Sequence, residues 1–230
     1  RGFLFRWLQM QVMTRKTSES YVVRHRQDAA RERVKTGKPH EITLFYQVGD
    51  PYSYLLIQAL KNIAHSWKAD LIFKLTSGVS GNNNPEPDML VNLAIKDAAF
   101  VAPGYGLQFS PLGNPTQVAI KNATCRLAPF ADTRNPDLEA IETISRQMWE
   151  GAFDSQDVND KQWQEAQAIV TQGSKEQDEM GHYAGAMLHY GGEWYWGVDR
   201  LYHLESRLRE LGVCDRSRYP RPPITPNAKL

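Results

Sequence analysis

Residues 42–76, ITLFYQVGDPYSYLLIQALKNIAHSWKADLIFKLT, decide the fold. The opening ITLFYQV is β-branched and aromatic, the make-up of a buried strand. Gly49 breaks that run and Asp50-Pro51 follows. This is a preferred helix start, in which a carboxylate caps free backbone N–H groups and proline takes the first turn. Leu55, Leu56, Ala59, Leu60, Ile63, Ala64 and Trp67 recur at helical spacing and predict a mostly buried helix over residues 51–67. DLIFKLT at 70–76 reads as a second strand. The connection is long enough for the two strands to pair in parallel.

Downstream, residues 87–180 contain no convincing strand, and helical patterns cover 88–100, 115–127, 136–150 and 160–170. AMLHY at 186–190 and EWYW at 193–196 then flank Gly191-Gly192, which favours a tight hairpin. Leu201, Leu204, Leu208 and Leu211 place a last helix over 199–211. The order β-α-β, helices, β-β-α predicts an α/β thioredoxin-like fold with an inserted all-helical domain. The thioredoxin-like domain spans 40–86 and 181–212, and the insertion 87–180. Residues 213–230, with Pro220, Pro222, Pro223 and Pro226, form a Pro-rich tail.

Upstream, residues 1–39 form a basic helical extension, with ten Lys/Arg against three Asp/Glu; the remainder holds 17 against 23. Residues 1–13 suit an amphipathic helix, and a second covers 21–34. The first helix has three readings: an arm packed on its own domain, an arm packed on another chain, or a contact with a membrane surface. The acidic body argues against nucleic acid as a partner, because phosphate recognition needs cations on the docking face. Every apolar run is interrupted well short of the ~18 to 20 residues needed to span a bilayer. Cys125 and Cys214 form no C-x-x-C pair and read as reduced thiols. With no secretory cleavage pattern in view, a cytoplasmic location is expected. The six histidines fall outside any zinc spacing, so no metal is expected.

The strand-to-helix junction is where chemistry is expected, since unpaired N–H groups and the helix dipole favour an anion there. DPYSYL at 50–55 resembles the S-P-Y-S-[YW]-L segment of kappa-class glutathione transferases and 2-hydroxychromene-2-carboxylate isomerases, a DsbA-like branch of thioredoxin-fold proteins. VSGNNNPEP at 79–87 is similar to that family's G-N-x-P loop. GHYAGAMLHYGGEWYWGVDRL at 181–201 aligns without a gap to its G-x-x-G-V-P-T-F-x-V-x-G-E-x-F-W-G-x-D-R-L pattern. The resemblance covers residues 41–212. It implies glutathione as the cofactor and a small thiol or an aromatic or carbonyl compound as the ligand. It implies Asp50, Ser53 and Tyr52 as catalytic candidates, and Asn84, Gly185, Ala186, Asp199 and Arg200 as binding candidates. The leader and Pro-rich exit also look like the first half of larger bacterial proteins with two such domains, which leaves a second domain or a homodimer as partner.

Two departures weigh against catalysis. Asp50 stands where the family's transferases have the serine that hydrogen-bonds the glutathione thiolate. Serine donates, whereas an ionised aspartate only accepts. Two negative charges ~4 Å apart at an effective dielectric of about 20 repel by roughly 4 kcal/mol, about three pKa units' worth of thiol activation. That penalty lapses if Asp50 is protonated or if Ser53 supplies the missing hydroxyl. Ala186 stands at the family's cis-proline, and since a cis bond before a non-proline costs about 2.5–4 kcal/mol, a trans bond is expected. Two functions therefore remain: a glutathione-dependent isomerase or transferase with Asp50 as general base and Ser53 or Tyr52 as hydroxyl donor, or a catalytically silent binding or scaffolding domain. A dithiol oxidoreductase is excluded, because Asp50 and Ser53 fill both sulfur positions. Capping alone also accounts for Asp50 and for Asp199, and strand packing for Trp194, Tyr195 and Trp196.

Overall fold

A computed structural model describes residues 18–79, 86–155 and 158–215. The amphipathic helix expected at 1–13, the residues 80–85 that contain Asn84, and most of the Pro-rich tail lie outside the described residues.

The first described helix, α1 (Glu19–Thr36), is capped by Ser18, whose side chain accepts the Tyr21 N–H. It leads into β1 (Glu41–Gln47), α2 (Pro51–Ile63) and β2 (Asp70–Thr76). Four helices follow: α3 (Pro87–Val101), α4 (Gln117–Leu127), α5 (Leu138–Trp149) and α6 (Asp160–Glu179). The hairpin β3 (Met187–Tyr190) and β4 (Glu193–Trp196) and the helix α7 (Leu201–Glu210) complete the described chain. The strands form one sheet in the order β2-β1-β3-β4. β1 and β2 are parallel with Leu44 opposite Phe73, and β1 and β3 are antiparallel with Leu44 opposite Leu188. This is the thioredoxin-like arrangement expected from the sequence.

β1 is buried from Ile42 to Tyr46, as befits a central strand covered on both faces. Alternation sends Ile42, Leu44 and Tyr46 into the main core with Leu55, Leu56 and Leu60 of α2, while Phe45 packs with Met187 on the other side. Tyr46 donates from its hydroxyl to Ser145 at 2.7 Å, tying β1 to α5. The hairpin turn needs two glycines, because Gly191 and Gly192 have φ of 57° and 83°. Gly192 is also approached by α1: a Cβ there would lie 2.5 Å from His25 Cε1. Nearby, Arg26 Nε donates to both Glu193 carboxylate oxygens at 3.0 Å. The second helix of the basic extension is thereby docked on the hairpin.

Of the boundaries that differ from expectation, three have a visible structural setting. α2 stops at Ile63 and its last predicted turn is the tight 3-10 turn Ala64–Ser66. α6 runs nine residues beyond the expected end at 170, through Gly173, whose missing side chain lets it close on β2: a Cβ there would lie 2.1 Å from the Leu75 carbonyl oxygen. Residues 198–200 form a 3-10 turn ahead of α7, and no side-chain hydrogen bond caps either one. Asp199 therefore does not act as a cap.

Candidate functional site

Asp50 ends the loop after β1 in an extended conformation, φ −86° and ψ 121°, the geometry of an N-cap. Its Oδ1 accepts the Tyr52 N–H at 3.4 Å, and its Oδ2 accepts the Ser53 N–H at 2.8 Å. The helix's leading N–H groups thus end on the chain's own carboxylate. Ser53 adds a third bond, donating its hydroxyl proton to Asp50 Oδ2 at 2.7 Å.

Ser53 is fully buried. Its oxygen also accepts the Gln47 N–H at 3.2 Å and the Ala186 N–H at 2.9 Å. A hydroxyl has one proton to give and two lone pairs to fill, and all three are engaged. Ala186 reaches this position with φ +54°, a left-handed conformation that non-glycine residues seldom take, and the peptide bond before it is trans. The approach requires Gly185, since a Cβ there would lie 2.7 Å from Gln47 Cβ and 3.2 Å from Asp50 Oδ2. An alanine supplies the N–H that the bond to Ser53 consumes; a proline has none to give.

Burial pushes the Asp50 carboxyl above its ordinary value, opposed by the hydrogen bonds from Ser53 and Tyr52. A folded pKa above the unfolded one means that ionising Asp50 works against the fold as pH rises through the folded value. The stabilising form is the protonated one.

A cleft of about 340 Å³ opens over this helix start, lined by Gln47, Asp50 and Gly185 and, from α3, by Leu90, Leu93 and Ala94. Tyr52 and Trp196 also line it, and both belong as well to a larger cleft of about 680 Å³ with Asp97, Phe100, Tyr105 and Asp199. The Tyr52 hydroxyl donates to Asp97 Oδ2 at 2.7 Å, and burial together with Asp97 pushes the Tyr52 pKa upward, keeping the phenol neutral.

The predicted residues therefore divide. Asp50 and Gly185 line the smaller cleft, Asp199 the larger, and Tyr52 both. Ser53 and Ala186 are buried behind the wall. Arg200 pairs with Asp199, Nε to Oδ2 at 3.5 Å, with both side chains more than half exposed. His182 and His189 pack against Trp194 with tilted rings, centroids at 4.9 and 4.7 Å, and burial lowers the His189 pKa to about 4. Among the described residues no group of three or more His, Cys, Asp and Glu side chains is placed to hold a metal ion.

Sequence reasoning missed Asp97 and Phe100 and assigned Trp196 to strand packing. The signals were present: Asp97 and Phe100 are three apart on α3, hence neighbours on its surface. Trp196 alternates with the buried Tyr195 and is 57% exposed.

Neither a protein-family model nor a curated protein sequence matches the chain. Among solved structures, its fold is similar to that of a selenomethionine 2-hydroxychromene-2-carboxylate isomerase, with a TM-score of 0.53 and 16% identity. The match covers 75% of this chain and 96% of that one. The chain shares the thioredoxin-like fold of that isomerase. Among the described residues, no helix is long and apolar enough to cross a membrane.

Proposed function

We propose that this chain is a small-molecule-binding protein that takes an aromatic or carbonyl-bearing ligand in the paired clefts around Tyr52 and Trp196 and does not activate a thiol. One observation carries the second half of that reading: Asp50 occupies the Tyr52 and Ser53 N–H groups and the Ser53 hydroxyl proton. In this position a glutathione thiolate would find the Tyr52 and Ser53 N–H groups and the Ser53 hydroxyl proton already taken. The residues present do not fit a thiolate. The first half rests on the larger cleft, whose size falls in the ordinary range for a small-ligand site and whose lining combines aromatic faces with a few polar groups.

A glutathione-dependent isomerase is the second reading. It is favoured by the upward pKa of Asp50, because a protonated carboxyl has a proton to offer. Calorimetry with reduced glutathione, alongside tryptophan fluorescence with acetophenone as a neutral aromatic carbonyl probe, separates the two. The expected result is no heat at millimolar glutathione, and an acetophenone response that Trp196→Ala abolishes. Glutathione heat, with turnover of 2-hydroxychromene-2-carboxylate in its presence, would establish the second reading and overturn the first.

A further inference from the structure

The larger cleft carries a charge pattern as well as a shape. Four of its lining residues are aromatic, Tyr52, Phe100, Tyr105 and Trp196, and its two ionisable acids are Asp97 and Asp199. No Lys or Arg belongs to the lining among the described residues. Phe100 and Trp196 are 86% and 57% exposed, unusual for rings of that size with no covering element. The Asp97 carboxylate accepts the Tyr52 hydroxyl on Oδ2 and has no cationic partner among the described residues. Lys96 precedes Asp97 by one position on α3, about 100° round the helix, and so does not share that face. Arg200 lies beside Asp199 at 3.5 Å and offsets part of its charge, so Asp97 is the stronger counter-charge of the two.

Each class of ligand fares differently against such walls. An anion meets two carboxylates. A neutral aromatic fills the apolar part and removes water from the acids without replacing it. A small hydrated metal ion gains nothing from four rings. An organic cation with alkyl groups on its nitrogen satisfies both halves, since the ring faces attract the charge and the carboxylates complement it without demanding a hydrogen-bond donor.

We propose that the cleft bounded by Tyr52, Phe100, Tyr105 and Trp196 selects an alkylated ammonium ligand, with the rings packed around the cation and Asp97 and Asp199 as its counter-charges. This rests on the reading that the cleft binds a small aromatic-bodied ligand, and it assigns that ligand's charge.

The test compares benzyltrimethylammonium, benzyl alcohol and phenylacetate against the full chain by calorimetry. The cation binds at least about tenfold more tightly than the alcohol, and phenylacetate binds most weakly. Trp196→Ala and Asp97→Asn, both at exposed positions, each weaken the cation by about fivefold or more and leave the alcohol nearly unchanged in the case of Asp97→Asn. Added salt weakens only the cation. Equal or tighter binding of the alcohol or of phenylacetate overturns the charge assignment and leaves the aromatic-ligand reading standing. Cation binding that neither variant affects places it elsewhere and overturns the assignment too. Failure of all three probes to bind removes both.

Discussion

The start of α2 and the cleft beyond Tyr52 lie side by side, and their polar groups are in opposite states. At the helix start every donor has an acceptor from the same chain: Asp50 takes the N–H groups and the Ser53 proton, and Ser53 takes two N–H groups in return. Across Tyr52 and Trp196, large rings face water, and among the described residues the Asp97 carboxylate has only a phenol for company. A satisfied network is a structural device, because any ligand that entered would have to break bonds already made. An unsatisfied surface is where a ligand gains. In the proposed reading the binding surface lies two residues further along the chain than the N-cap, at Tyr52 rather than Asp50.

Two substitutions break that comparison by undoing the network. Ala186→Pro has the largest effect, because proline fixes φ near −65° where the backbone needs +54° and deletes the N–H that Ser53 accepts. It lowers stability by about 4 kcal/mol or more, read from denaturant unfolding. Ser53→Ala comes next. It leaves the Gln47 and Ala186 N–H groups buried without an acceptor and strips Asp50 of a donor, at a cost of about 2–4 kcal/mol in the same assay. Should either variant prove neutral, the network is not what holds the corner together.

The corner's fold was legible because its signals are local. The ITLFYQV strand, the Asp50-Pro51 cap and the helix after it lie within a few residues of one another, and the observed β1 and α2 begin within one residue of the reading. The chemical state of the corner was not legible, since the Ala186 N–H that fills Ser53 comes from 133 residues away. Ser53 reads in sequence as a spare hydroxyl; only the closed fold gives its lone pairs their partners. The aromatic cleft was hidden for the same reason. Tyr52 comes from α2, Asp97 and Phe100 from α3, Tyr105 from the turn after it and Trp196 from β4. No single window of sequence holds them. The length of α6 escaped for a local reason: Gly173 and a polar composition weaken the helical signal at the point where close packing on Leu75 requires a residue without a side chain.

The account depends on Asp50 filling the place that a thiolate would need. The direct measurement is the ultraviolet absorbance of the glutathione thiolate, titrated against pH with the wild-type chain and with Asp50→Ser in excess. The account predicts a thiol pKa unchanged from free glutathione with the wild type, and a lowered one with Asp50→Ser. A lowered thiol pKa with the wild type, or the same curve for both proteins after confirmed binding, would contradict it.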